Sequence, residues 1–327
     1  MKELKVEEEA LPEYQDKGGR ILRDRIVILG RQGAGKTVYL SLLYDLLWKS
    51  DGDLTMKALH GEHHREFIKT VVKLRHGKWP GPTASNRSAY IEISYKDQNR
   101  LMVAMDYSGE LINKAFVSEE KSDEVQELLE HLDRAAGVIL LVDPAHVVGP
   151  KANIDSTVEN DFGIVQATSR LRKWAGGAKV PIVLVLTKVD ETQPMLKEYG
   201  GTKAFVQKFF PKLISTVVNL KVCKISAVQT FKNRPGVIKP SFVPSNLEVP
   251  LRYCLAQISD NEKKDEMFKR HQKYVEANIK KIKREIIRDK IIRWCIIAVI
   301  AATLGIMAYY ILTIIWPDIL DKWIFGS

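Results

Sequence analysis

Gly30-Arg31-Gln32-Gly33-Ala34-Gly35-Lys36-Thr37 (GRQGAGKT) follows the apolar run Ile26-Val27-Ile28-Leu29 and precedes a second apolar stretch, Val38 to Trp48. A strand, a glycine-rich turn and a helix in that order form the setting of a phosphate-binding loop, and the pattern G-x-x-x-x-G-K-[ST] is met at every fixed position. A nucleoside triphosphate presents a dense cluster of anionic oxygens, so backbone NH groups must come close to it. Gly30, Gly33 and Gly35 leave space for that approach, with Ala34 completing the turn. Lys36 adds a point charge for the β- and γ-phosphates. Thr37 offers a hydroxyl to Mg²⁺ and opens the helix Val38 to Trp48, whose N-terminal partial positive charge also faces the phosphates.

The 327 residues suffice for one large α/β domain with appendages, and 45% apolar with 28% charged residues is the balance of a folded chain. The net charge of +10 is concentrated: Asn261 to Arg293 holds twelve Lys or Arg against six Asp or Glu, directly before a long apolar segment. That placement reads as the flank of a membrane span and argues against a nucleic-acid-binding face. Cys223, Cys254 and Cys295 are far apart and lack a C-x-x-C pair, which points to neither a disulfide framework nor a zinc site and fits a reducing compartment. His60, His63 and His64 lack an accompanying carboxylate motif and read as surface residues.

Residues 1–20 read as a polar lead-in before a strand at about Ile21 to Leu29, and Glu62 to His76 reads as a second helix. The Lys78-Trp79-Pro80-Gly81-Pro82-Thr83 loop precedes a strand, Ser88 to Tyr95. A nucleotide-sensing switch would place a hydroxyl there, and Thr83 is the candidate, with Ser85 and Ser88 competing. Arg87 is a further charge in that loop, read as solvated. The strand Leu101 to Met105 delivers Asp106-Tyr107-Ser108-Gly109-Glu110, in which Asp106 suits Mg²⁺ and the Gly109 NH suits the γ-phosphate.

Helices at Ser122 to Asp133 and Asp161 to Ala175 alternate with strands at Gly137 to Val142 and Pro181 to Leu186. Such alternation implies a mostly parallel sheet with ligand at the carboxyl ends of its strands. The last of these strands delivers Thr187-Lys188-Val189-Asp190. The Asp190 carboxylate can accept from the ring NH and exocyclic amine of guanine, a donor pair that adenine lacks, and Lys188 can lay its stem along the base. After a helix at Pro211 to Val218, the strand Lys221 to Ile225 ends in Ser226-Ala227-Val228, a turn able to offer a backbone NH to the guanine oxygen. Gln229 to Pro250, with four prolines, reads as an irregular connection, and Leu251 to Ser259 as a closing helix.

GRQGAGKT, DYSGE, TKVD and SAV, in that order and each at a strand end, resemble the nucleotide-binding boxes of translation-factor-like and Ras-like GTPases over residues 21–260. The helix before the switch loop and the WPGPT string resemble the double-GTPases of predicted bacterial conflict systems. The resemblance implies an α/β GTPase domain that binds GTP and GDP with Mg²⁺, hydrolyses GTP slowly and switches between two states. The catalytic set would be Lys36, Thr83, Gly109 and Glu110, with Thr37, Thr83 and Asp106 at the metal. Two positions depart from the family pattern. Glu110 stands where Ras-like proteins carry the Gln that orients the attacking water, and Thr187 stands where Asn is commoner.

Residues 261–293 form a basic juxtamembrane helix in this reading, with Met267, Val275, Ile279, Ile282, Ile286 and Ile287 at near-helical spacing. Residues 294–317 contain no charge and, as a helix of about 36 Å, exceed the roughly 30 Å hydrocarbon core. A tail-anchored chain results, with its GTPase domain cytoplasmic and residues 318–327 across the bilayer. The effector or activator stays open, self-association as a homodimer included. The rival readings are a membrane adaptor or receptor subunit that keeps GTP unhydrolysed, and an ATPase in which Asp190 is incidental.

Overall fold

Every residue of β1 (Arg25–Gly30) is buried, because the strand sits at the centre of a sheet covered on both faces. The structure is a computed structural model that describes residues 25–31, 33–81, 88–96, 98–104, 111, 114–115, 121–148, 165, 180–217, 220–231, 233–311, 313 and 316. Seven strands follow the order β2-β3-β4-β1-β5-β6-β7: β2 (Leu54–Ala58), β3 (Ala89–Tyr95), β4 (Gln98–Ala104), β5 (Ala135–Val142), β6 (Ile182–Leu186) and β7 (Leu220–Lys224) complete the set. β4, β1, β5, β6 and β7 are mutually parallel, while β2 and β3 pair antiparallel at one edge. The fold is α/β with a mostly parallel sheet.

Alternation along the central strands divides the core in two. Ile26 and Ile28 of β1, Ile139 and Leu141 of β5 and Val183 and Val185 of β6 face one apolar layer. Val27, Leu29, Val138, Leu140, Ile182, Leu184 and Leu186 face the other. A strand buried on both faces cannot alternate apolar with polar residues, so these strands read as unbroken apolar runs. The first layer is covered by α1 (Lys36–Leu47) and α2 (Gly61–Arg75), and the second by α3 (Asp123–Asp133) and α6 (Thr202–Phe209) among others. Short helices α4 (Ala145–Val148), α5 (Val189–Glu198) and α7 (Pro211–Thr216) occupy the connections.

Several elements differ from the sequence reading. β2 is a strand where only a break was expected; its LTMKA pattern buries Leu54 and Met56 and turns Lys57 outward. The Gln229 to Pro250 connection contains a hairpin of β8 (Thr230–Phe231) and β9 (Arg234–Ile238), which Pro235 disguised, since proline is confined to edge positions and bulges. α5 and α6 were also not anticipated, and Pro194 lies inside the first of them. The helix expected at Asp161 to Ala175 lies outside the described residues, as do the 1–20 lead-in and the 318–327 tail.

α8 (Val249–Tyr310) is 62 residues long. The chain divides into two compact units, Met1–Asp265 and Glu266–Ser327. In the first, Leu251, Cys254, Leu255 and Ile258 pack into the core at helical spacing. Gly137 of β5 makes room for them, for a Cβ there would lie 2.3 Å from Cys254 Sγ and 3.1 Å from Ile258 Cδ1. In the second, the apolar stretch is exposed, and it is long and apolar enough to be a candidate membrane span.

Candidate functional site

The loop after β1 closes on itself and turns directly into α1. Ala34 N donates to Arg31 O at 3.0 Å and Tyr39 N to Gly35 O at 2.9 Å, which ties the turn to the first helical turn. Gly33 and Gly35 take φ of +80° and +85°, a backbone region open mainly to glycine. Their surroundings differ: a Cβ on Gly33 would strike the His146 ring at 2.9 Å, whereas nothing lies within 4 Å of one on Gly35. Gly30 is set by packing, since a Cβ there would come within 2.8 Å of Leu141 O on the neighbouring strand. Lys36 is buried and donates its Nζ to Gly30 O (2.5 Å) and Arg31 O (2.9 Å), so its charge is held within the loop. Thr37 is half-buried in the first turn of α1.

The ends of β5, β6 and β7 bring a second group of residues against that loop. Lys188, in the left-handed conformation at φ +53°, caps α5 and donates its Nζ to Gly33 O at 3.0 Å. The same Nζ pairs with Asp143 Oδ2 at 2.7 Å. Asp143 is buried, and its other oxygen accepts from Ala145 N at 3.0 Å. Lys188 therefore bridges the phosphate-binding turn and the end of β5 through a charge-assisted contact. Thr187 uses both its NH (2.9 Å) and its hydroxyl (3.3 Å) on Val142 O, so it reinforces the β5–β6 pairing while its neighbour reaches the loop.

Asp190 is exposed in the first turn of α5, with Oδ1 accepting from Ser226 Oγ at 2.9 Å and Oδ2 from Thr230 N at 3.4 Å. Ser226 N donates to Ser245 O at 3.3 Å in an isolated bridge that pins the turn after β7. These elements enclose a cavity of about 280 Å³ whose walls include Gly35, Thr187, Lys188, Asp190, Ala227 and Trp79. It joins a carboxylate, an aliphatic stem and an indole beside the start of the phosphate-binding helix. A planar base with two adjacent NH donors fits that set, and the phosphates of the same nucleotide fit the turn.

The expected residues Gly30, Gly33, Ala34, Gly35, Lys36 and Thr37 are thus joined to Thr187, Lys188, Asp190, Ser226 and Ala227 through the Lys188 bridge and the shared cavity. Thr83, Asp106, Gly109 and Glu110 lie outside the described residues, as do Ser85 and Arg87. Of the three residues expected at Mg²⁺, Thr37 alone is described. Ser88 Oγ donates to Glu127 Oε1 at 2.8 Å. The Glu127 carboxyl is held below its ordinary value by the His131 ring beside it, with Ser88 and Tyr90 also donating to it.

Sequence reading missed Asp143, His146, Trp79 and Thr230. Asp143 carried a usable signal, since it ends a buried parallel strand at the side where ligands bind. Trp79 lies 157 residues from Gly236 in the chain, yet its indole Nε1 donates to Gly236 O at 2.6 Å and couples the segment after α2 to the β8–β9 hairpin. The histidines of α2 are also not all surface residues. His64 Nδ1 lies 2.8 Å from Tyr44 OH, and its ring packs edge-on against Trp48. Among the described residues no group of three or more His, Cys, Asp or Glu is placed to hold a metal ion.

Among solved structures, the chain is similar to a Plasmodium falciparum protein described as nucleolar GTP-binding protein 1. That match has 11% identity and a TM-score of 0.43 and covers 80% of this chain and 96% of that one. It is also similar to a bacterial selenocysteine-specific elongation factor, at 18% identity and a TM-score of 0.34 over 62% of this chain and 25% of the factor. The chain therefore spans about a quarter of the elongation factor's length. No curated protein matches it in sequence. Residues 27–193, just over half of the chain and including the phosphate-binding turn, Lys188 and Asp190, match the Double-GTPase 1 family, and the chain belongs to that family.

Proposed function

We propose that this protein is a membrane-anchored switch that binds Mg-GTP, hydrolyses it slowly to GDP and acts in signalling or in a defence system. The observation that carries the reading is the Lys188 bridge. One side chain touches the phosphate-binding turn at Gly33 O and stands two residues from Asp190 on the wall of a base-sized cavity. Lys36 and the turn's backbone would hold the phosphates, Asp190 would select guanine, and Ala227 would close the base pocket near the guanine oxygen. Thr37, Thr83 and Asp106 would hold Mg²⁺, which supplies charge neutralisation at the β- and γ-phosphates when bound. Gly109 and Glu110 would face the γ-phosphate. The apolar stretch of α8 would cross the membrane once, and the Lys/Arg excess before it supports a cytoplasmic GTPase domain. A protein effector or activator would read the switch, and nucleic acid would not be a partner.

The test is equilibrium binding of GTP, GDP and ATP with Mg²⁺ to the full chain in nanodiscs, alongside Asp190→Asn. Two charge-assisted hydrogen bonds are worth about 1.5–3 kcal/mol each, so the substitution should weaken GTP binding by at least about 100-fold and shift preference toward xanthine nucleotides. Equal binding of ATP by the unaltered chain would sink the guanine assignment. Turnover should be near the 10⁻⁴ per second order of Ras-like proteins, and fast hydrolysis by the protein alone would contradict the switch reading. The second reading is an adaptor that keeps GTP bound and intact. It is favoured by Glu110, whose carboxylate cannot donate to the attacking water's surroundings as a Gln amide can. Single-turnover hydrolysis separates the two.

A further inference from the structure

Glu266 to Tyr310 is helical throughout, and no Gly or Pro occurs between Leu251 and Leu304. Sharp bends in helices arise at such residues or at local defects, so the apolar part of α8 and the basic part before it share one axis. A helix that crosses the bilayer on that axis projects its preceding turns away from the surface, which disfavours a basic part lying flat on lipid. Those turns nevertheless carry an apolar stripe. Phe268, Val275, Ile279, Ile282 and Ile286 are 40%, 39%, 47%, 55% and 51% exposed.

The stripe has the spacing of a coiled-coil seam. Steps of seven, four, three and four residues place Phe268, Val275 and Ile282 at d and Ile279 and Ile286 at a, with Gln272 at the remaining a position. It runs about 28 Å along the helix. Most of the charge lies away from it: of the nine Lys and Arg between 268 and 290, Arg270, Lys273, Lys280, Lys281, Arg284 and Arg288 fall at the outer b, c and f positions, where two basic helices repel least, and Lys269, Lys283 and Lys290 fall at e. In a parallel, in-register pair the g residues His271, Asn278 and Glu285 face the e residues Glu276, Lys283 and Lys290 of the other helix; the first and third pairs are complementary and the second sets no like charges together. An isolated Gln at a favours one register over its neighbours.

We propose that this stripe is the seam of a parallel homodimer, so that two copies of the chain stand side by side on a two-helix stalk. The parallel direction rests on the reading of the apolar segment as a membrane span, because two copies anchored by the same span enter the bilayer the same way. The pairing would hold two GTPase domains at high local concentration, as self-activation would require.

The test uses the full chain in its own membranes with Cys295→Ser, the exposed cysteine; Cys223 and Cys254 are buried. Single cysteines replace Val275, Ile279, Ile282 and Ile286 in turn, and Lys280 and Arg284 as outward controls. After mild oxidation, disulfide-linked dimers should form several-fold more at the four stripe positions than at the controls, because bridged residues need Cα atoms within about 7 Å. An antiparallel pair would bridge identical positions only near the stripe's midpoint, and that pattern overturns the proposal. Equal yields at all six positions, no dimer, or bridging to a different protein overturn it as well. Alkaline carbonate extraction of the same membranes reads the span separately: release of the chain fails the membrane reading, while retention without stripe dimers fails the seam alone.

Discussion

Replacing Gly137 with alanine probes the contact that closes the first unit, where the start of α8 lies on β5. The new Cβ would sit 2.3 Å from Cys254 Sγ and 3.1 Å from Ile258 Cδ1, and both side chains are fully buried. Ordinary carbon contacts lie near 3.5–4.0 Å, so the sulfur or the helix must retreat by more than about 1 Å in a packed interior. Overpacking of that kind costs about 1–3 kcal/mol. Relief of glycine's conformational freedom in a strand returns roughly 0.5–1 kcal/mol. The two ranges subtract to about 0–2.5 kcal/mol, and the retreat of more than about 1 Å puts the loss in the upper half, about 1–2.5 kcal/mol or a fall in Tm of about 2–10 °C for a unit of this size. Thermal unfolding followed by circular dichroism measures it. Cys254→Ala removes the clashing sulfur, so the double variant should be more stable than the two single losses predict, by about 1 kcal/mol. Unchanged Tm in Gly137→Ala, or strictly additive losses, would refute the packing argument.

Three further outcomes follow from the same geometry. Asp143→Asn keeps an acceptor for Ala145 N but removes the charge that holds Lys188, and should weaken GTP binding by about fivefold, or about 1 kcal/mol, in calorimetric titration. The hydrogen bonds on Glu127 hold its carboxyl low, so the unfolded chain binds the extra proton and the stabilisation is present above the ordinary Glu range and lost as pH falls through the depressed value. Glu127→Gln should therefore lower Tm at neutral pH, with the gap closing below about pH 4, and a gap independent of pH would argue against it. Burial pushes the Cys254 thiol up to about 12 and raises that of Cys223. Iodoacetamide at pH 8 should spare both until the chain is unfolded, and the stability carried by the neutral Cys254 should fade as pH rises past the ordinary thiol range toward 12.

The glycine-rich turn between β1 and α1 was legible from residue types alone. A glycine-rich turn between an apolar strand and an apolar helix has few other uses, and the turn's dihedrals require glycine at 33 and 35. Asp190 and Lys188 were legible for a similar reason, since their spacing after a buried strand reports a strand end. Trp79 was not legible, because its partner Gly236 lies 157 residues away, and of Asp143 only the strand-end position was, since its Lys188 partner lies 45 residues away. The missed β2, β8 and β9 are short strands at edges, where pattern is weakest and prolines are tolerated.

Local chemistry in the sequence was therefore enough to read a mostly parallel α/β sheet, the glycine-rich turn between β1 and α1, the family and the apolar span candidate. Each depends on a few neighbouring residues and on the periodicity of one element. The tertiary structure alone decided which strands adjoin, that Lys188 links the base side to Gly33, that Trp79 reaches the hairpin, and that Gly137 admits Cys254 and Ile258. Those facts depend on distances between segments remote in the chain. Such distances are set by how the two apolar layers close over the sheet, which no short stretch of residues encodes.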